Sequence, residues 1–421
     1  MSADRSPGGR LAARLAPLRG GGRGWVLLTV AAGWFATLGL RFVVPALLPR
    51  IKDTFGVNNA GAGLAVTVIW ITYAGTQLPA GAMVDRLGER TLLTASLVVA
   101  GSSLVLFGLV PAFGLFLVAA GLFGLGTGLY GPARGMVLSR TFRDNDGAAF
   151  GATLAAGSVG AAALPFLATT AALWADGRIA GLPGWQLALA SFAPLFAVLA
   201  VAVWRTVPGR GETRPATEAR DARTETDGGA AAASVLSTAT SREVVVAAAG
   251  AMFMLFTFQG LTAFYTTYLV EVKGLSATVA GGLFALLFLA GAVFQSSAGR
   301  AADLYGHRRV LVAIGVGSLP PLALLPLVDG RLALAVLTVP IGLRLAMGPV
   351  VNAYVVGVIP SEIQGTTWGL VRTTFFTVGS LGSVAVGTVA DAARFNLAVY
   401  GLAALTIPAI AAFAVLPDRE G

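Results

Sequence analysis

Apolar residues along the chain gather into twelve stretches separated by short segments rich in charge, glycine and proline. They lie near 25–48, 60–80, 91–111, 114–137, 148–173 and 185–204, then near 244–269, 277–298, 310–328, 332–358, 365–390 and 397–416. At a rise of about 1.5 Å per residue, roughly 20 apolar residues cross the hydrocarbon core of a bilayer. The pattern therefore predicts twelve spanning α-helices. Residues 205–243 form the longest polar stretch between them, with six arginines, six acidic residues and the low-complexity run Gly228 to Ser234. That segment predicts a cytoplasmic linker over 206–243 between two six-helix halves, 25–205 and 244–421. Residues 1–24 scatter five arginines among glycine, proline and serine, a composition that predicts a disordered cytoplasmic tail. The apolar run after it is too long for a signal-peptide core and lacks a small-residue cleavage site at its end.

Composition agrees with the pattern and narrows the chemistry. Charged residues make up 12% of the chain, about half the share of a soluble domain. Cysteine is absent, which removes disulfides, thiolate nucleophiles and thiolate metal sites, and the single histidine, His307, removes a histidine metal cluster. No cofactor is expected. The net charge of +9 reads as topology and not as a nucleic-acid footprint. With the N-terminus inside, 19 basic residues fall in cytoplasmic segments and 6 in the opposite loops, which predicts both termini in the cytoplasm and a multi-pass protein of the cytoplasmic membrane. The other four, Arg41, Arg134, Arg344 and Arg372, fall inside predicted spans.

Sliding the chain by 218 residues superposes the two halves. Gly56 meets Gly274, Gln77 meets Gln295, Gly81 meets Gly299, Asp85 meets Asp303, Gly88 meets Gly306 and Arg90 meets Arg308. The loop after the second span reads Gly81-Ala-Met-Val-Asp85-Arg86-Leu-Gly88-Glu-Arg90, and its echo reads Gly299-Arg-Ala-Ala-Asp303-Leu-Tyr-Gly306-His-Arg308-Arg309. This duplicated segment resembles motif A of the major facilitator superfamily, and with twelve spans and a central linker the resemblance covers essentially the whole chain. It implies an all-α membrane fold of two pseudo-symmetric six-helix bundles that transports a small solute by alternating access, as a functional monomer. In the resembled family Asp85 would dock near the start of the eleventh helix, around Ser361 to Gly365, and Asp303 near the start of the fifth, around Asn145 to Gly147. Such contacts would hold the cytoplasmic side closed, since a carboxylate suits the positive end of a helix. Gln77 and Gln295, one turn above the motif, read as gate supports.

An arginine at the bilayer centre costs about 2.5–3.5 kcal/mol if it faces lipid. Arg41, Arg344 and Arg372 are therefore expected to face a cavity, whereas Arg134, near the inner end of its span, can snorkel and reads as structural. No acidic residue falls within the twelve apolar cores. Buried cations without buried carboxylates favour an arriving anion, and guanidinium forks suit carboxylate or phosphate oxygens. The expected partner is thus a small anionic solute, with a coupling proton or counter-anion left open. Tyr73, Tyr130, Gln259, Tyr265 and Asn352 are the polar groups expected to share the cavity. The alternative for any of these residues is to brace one helix against another. An arginine late in the first helix is similar to that of organic-anion branches of the superfamily, where it contacts the substrate's anionic group. The position matching Arg41 in the second half is Gln259, and Leu40 stands where proton-coupled branches often carry a carboxylate.

Gly126-Thr-Gly128-Leu-Tyr-Gly131 spells a dinucleotide fingerprint, but it lies within an apolar span with no preceding strand, so it reads as helix packing. The fifth span lacks the glycine-proline run associated with drug:proton antiporters, which makes multidrug efflux the second reading. A membrane enzyme lacks an acid-base pair or metal at lipid depth. A transporter-like receptor would need an effector region, for which the linker is too short.

Overall fold

The computed structural model describes residues 23–142, 146–178, 181–209, 228–360, 363–392 and 394–417, without the side chains of 78, 85, 146 and 228–232. The expected tail up to Gly22, the middle of the linker, Asn145 and Ser361 lie outside the described residues. Among the described residues there is no strand.

Twelve long helical spans follow one another. They are α1 (Arg23–Phe55), α2 (Asn59–Leu87), α3 (Glu89–Leu109), α4 (Phe113–Thr141), α5 (Asp146–Ala175) and α6 (Gly184–Thr206). The second set is α7 (Arg242–Glu271), α8 (Ala277–Tyr305), α9 (His307–Leu327), α10 (Arg331–Val358), α11 (Gln364–Asp391) and α12 (Phe395–Ala414). Among the described residues, eleven are long and apolar enough to cross a membrane, and α2, with 29 residues, packs among them. A short helix, Gly228–Ala239, also forms within the expected linker. Its four consecutive alanines, the residue with the highest helix propensity, account for order where low complexity predicts none.

The internal repeat is visible in the backbone. Asn58 caps α2 by accepting the Gly61 N–H, and Ser276, 218 positions later, caps α8 by accepting that of Val279. Gly56 and Gly274 both turn with φ near +60°, at 62° and 65°, and Gly88 and Gly306 have φ of 81° and 83°. A side chain at these four positions would be strained, which explains why glycine recurs at that spacing.

Prolines break the helices where carbonyls are then re-used. In α1 regular helix stops at Leu40 and resumes at Val43, because Pro45 has no N–H to offer the Arg41 carbonyl. Pro49 likewise leaves the Pro45 carbonyl without its helical donor, and Thr266 of α7 donates to it at 3.0 Å. Pro349 does the same to Leu345 in α10, whose carbonyl takes the Gln295 side-chain N–H at 2.9 Å. Freed backbone groups thus become contacts between helices instead of unpaired polar atoms in lipid.

Close helix approach rests on glycine. A Cβ at Gly39 would stand 2.5 Å from the Gly160 carbonyl, and one at Gly160 would stand 2.2 Å from that of Phe35. This pair lets α1 and α5 touch backbone to backbone, the usual route to tight packing in lipid. Replacing Gly160 by alanine is expected to destabilise the protein by about 1–3 kcal/mol through overpacking. Gly299→Ala, inside α8 with nothing within 4 Å of the new methyl, is expected to leave the melting temperature unchanged or slightly raised. Thermal unfolding of both variants in detergent checks this; equal melting temperatures would count against the α1–α5 contact.

Candidate functional site

The bilayer-depth arginines separate into two environments. Arg41, at the break in α1, is 1% exposed and lies over three aromatic rings, with its guanidinium carbon 4.2 Å from the centroid of Tyr73, 5.3 Å from Trp34 and 5.4 Å from Trp70. Its Nε donates to the Thr37 carbonyl at 3.2 Å, and its Nη2 is buried without a partner. Arg134 of α4 shares the same indole, 4.3 Å from the Trp34 centroid and 5.6 Å from Phe150 of α5. It donates to Thr153 at 2.6 Å and keeps a buried, unpartnered Nε. Arg372 of α11 lies 5.4 Å from Phe376, whose ring stacks on Trp70 at 6.2 Å and meets Tyr73 edge-on at 5.7 Å. Tyr73 thus touches the Arg41 guanidinium directly and Arg372 through the Phe376 ring.

Two guanidiniums on one indole are within roughly 10 Å of each other, and at an effective dielectric near 20 like charges at that range repel by at least about 1.7 kcal/mol. Aromatic faces offset part of this, at about 0.5–2 kcal/mol each. They carry no net charge, however, so this cluster of arginines and rings, hereafter the chamber, stays positive. Among the described residues no carboxylate pairs with any of the three. Arg134 belongs to this group because it is 9% exposed and turned toward α1 and α5. Position along the helix predicts snorkelling to the surface; the direction of the side chain, set by Trp34, decides otherwise.

Arg344 stands apart. Its guanidinium donates to the hydroxyls of Thr257 on α7 and Thr406 on α12, so it ties three helices of the second bundle together. Tyr130 donates to the Val30 carbonyl at 2.9 Å, bracing α4 against α1, and the Tyr265 hydroxyl bonds Thr338 on α10. Arg344 also keeps a buried, unpartnered Nε, and Tyr130 stacks at 6.2 Å on the Trp34 ring that Arg41 and Arg134 share. Gln259 differs, being 1% exposed with both amide atoms unpartnered. Its neighbour Phe258 meets Phe42, the neighbour of Arg41, at 6.4 Å, so the two repeat-related residues sit at matching depth. Asn352 is exposed. Gln77 is half-buried with an unpartnered amide nitrogen, whereas Gln295 accepts from Ser158 of α5 at 3.2 Å and thereby joins the two halves.

Contacts between the halves gather toward the side opposite the arginine-rich loops. Lys52 pairs with Glu271 at 2.9 Å, Thr67 donates to the Ser380 carbonyl at 2.9 Å, and Asp391 accepts the N–H groups of Asn59 and Ala60 at 2.7 and 2.8 Å. One hydrophobic core runs across both halves there, while a second core, from Val244 to Leu255 and Ala346 to Ile359, belongs to the second half alone. On the arginine-rich side Gly81, Gly151, Gly299 and Gly365 face open space. Among the described residues, the contacts between the halves thus lie at mid-depth and at the end opposite the arginine-rich loops.

Motif A lies at the arginine-rich end. Gly88 and Gly306 supply the turns, Arg86, Asp303 and Arg309 are exposed, and Arg308 is half-buried. Arg90 stacks on Trp204 of α6 at 4.7 Å, and Glu89 pairs with Arg140 of α4, so part of the first copy braces its own bundle. The Asp85 side chain and the docking segments at 143–145 and 361–362 lie outside the described residues.

The sequence profile of the Major Facilitator Superfamily matches residues 29–383 and, separately, 247–421. An uncharacterised MFS-type transporter of Bacillus subtilis (strain 168), YfnC, is 32% identical over 158 residues, 37% of this chain. That alignment spans 38% of the relative's length. The fold is similar to a bacterial homologue of the human lysosomal transporter Spinster in an inward-facing, unoccupied conformation, with a TM-score of 0.80 and 16% identity over 94% of this chain and 97% of that one. It is also similar to the nucleoside transporter NupG, with a TM-score of 0.77 and 13% identity over 93% and 99% of the two chains.

Removing the Tyr130 hydroxyl tests the division between bracing and binding residues. Tyr130→Phe deletes one buried hydrogen bond and is expected to lower stability by about 1 kcal/mol, while anion-induced thermal shifts remain those of the parent. A parent-like melting temperature with the shift abolished would return Tyr130 to the binding site.

Proposed function

Given that the chain belongs to the major facilitator superfamily and is a multi-pass membrane transporter, we propose that it moves a small anionic solute, carboxylate- or phosphate-like, across the cytoplasmic membrane. The observation that carries this reading is the chamber of Arg41, Arg134 and Arg372 around Tyr73, whose cations are faced by aromatic rings and not by acidic side chains. A buried cation without a counter-charge is costly. An arriving anion removes that cost and meets guanidinium donors, Arg41 Nη2 and Arg134 Nε, that have no protein partner.

Transport follows from the two-sided architecture. The solute enters the chamber from whichever side is open, and the bundles α1–α6 and α7–α12 rock about it to expose the other side. When the arginine-rich side is open, the solute approaches past α2, α5, α8 and α11 and reaches Arg372 and Arg134 before the more deeply buried Arg41. Tyr73, held against the Arg41 guanidinium, positions that cation, and Gln259 offers an amide from the opposite half. The halves 25–205 and 244–421 act as the moving bodies, and the motif A residues govern closure on the cytoplasmic side. Arg344 braces the second bundle through its two threonine partners.

A thermal-shift panel on purified protein tests the solute class. Small carboxylates, phosphate and nitrate are expected to raise the melting temperature, and lipophilic cations to leave it unchanged. Arg41→Gln is expected to abolish the anion effect while the protein still folds. Stabilisation by cations alone would favour multidrug efflux.

A further inference from the structure

Resting on the anionic reading above, we infer that the solute carries two negative charges, one met by Arg41 and Arg134 of the first bundle and the other by Arg372 of the second. Arg41 and Arg134 share the Trp34 ring, so their charges act as one positive centre on the α1–α4–α5 side. Arg372 reaches the same aromatic wall from α11, through Phe376 against Trp70 and Tyr73. A single anionic group engaging the first centre leaves Arg372 and one further cation uncompensated. A second anionic group brings Arg372 into contact and joins the two halves through the solute itself. Only a ligand that gains contacts when the halves come together can shift the balance between open and closed states, and a solute bridging both centres has that property. The rings that line the site, Trp34, Trp70, Tyr73 and Phe376, favour a planar or apolar body between the charges.

Matched probes isolate the charge count. Phthalate and its monomethyl ester, and succinate and its monomethyl ester, keep size and shape similar while removing one charge. The full chain is expected to bind each diacid at least tenfold more tightly than its ester in thermal-shift titrations. Arg372→Gln is expected to weaken the diacids tenfold or more and the esters less than threefold, Arg134→Gln to weaken diacids and esters by similar factors, and Arg372→Lys to restore part of the preference. Equal affinity for diacid and ester, or an unchanged preference in Arg372→Gln, would overturn the two-charge inference while leaving an anionic solute in place. Failure of every anion to bind would remove both.

A different set of contacts supports a second inference. We propose that Asp391 is the outer latch of the transport cycle. It is the last residue of α11, and its two carboxylate oxygens take the first N–H groups of α2, from Asn59 and Ala60. These donors have no partner within their own helix, and the positive end of α2 favours a negative charge there. Gly387 allows the approach, since a Cβ on it would lie 2.2 Å from the Asn59 carbonyl. Lys52 reinforces the seal by bonding both Asn59 and Glu271. α2 and α11 run antiparallel, and Asp85 occupies the last turn of α2. Each helix of the pair therefore ends in a turn bearing an aspartate, at opposite faces of the membrane. Release of Asp391 from α2 must precede opening to the outside.

The absence of native cysteine makes this directly measurable. Spin labels on Asp53→Cys and Thr278→Cys, exposed sites at the outer ends of the two bundles, report outer opening by pulsed electron resonance. Asp391→Ala and Glu271→Gln are each expected to lengthen the dominant distance, and Asp85→Asn to leave the short distance dominant. A distance distribution unchanged in Asp391→Ala would refute the latch, whatever Glu271→Gln does.

Discussion

Charge balance in an apolar bundle is the constraint on which the rest of the molecule turns. Two buried guanidiniums, Arg41 and Arg134, and a half-buried third, Arg372, lie at membrane depth against one set of aromatic rings, where a bare cation is expensive. Nature's common answer is a fixed carboxylate. Here the neighbours are indole, phenol and phenyl rings, together with a threonine hydroxyl and one backbone carbonyl. Ring faces attract a cation without neutralising it, so the chamber holds its arginines in place and still presents a positive potential.

Around that chamber, the same few residue types provide both closeness and movement. Glycine pairs let α1 meet α5, while prolines release carbonyls that are then taken by Thr266 from across the halves and by Gln295 on a neighbouring helix. Such contacts are local and few, so a limited number must break for the bundles to part. The outer seal combines one ion pair, a carboxylate on a helix end and a continuous apolar core. Gln295 joins the halves near mid-depth, and toward the arginine-rich side the glycines of α2, α5, α8 and α11 face space.

The sequence by itself determined the number of spans, the 218-residue repeat, the sidedness implied by its basic residues and the presence of arginines at membrane depth. Each of these depends on positions along one dimension: apolar run length, self-similarity and the count of charges per loop. The helix caps at Asn58 and Ser276 and the paired positive-φ glycines follow the same local logic. Tertiary structure decided which arginines share a chamber. Arg344 looks equivalent to Arg372 in the sequence, yet it faces threonines on α7 and α12. Arg134 looks like a surface-seeking residue, yet Trp34, a hundred positions earlier, holds it inward. Sequence gives the depth of a residue along its helix; the direction in which its side chain points, and what waits there, depends on helices far away in the chain, and only their packing fixes it.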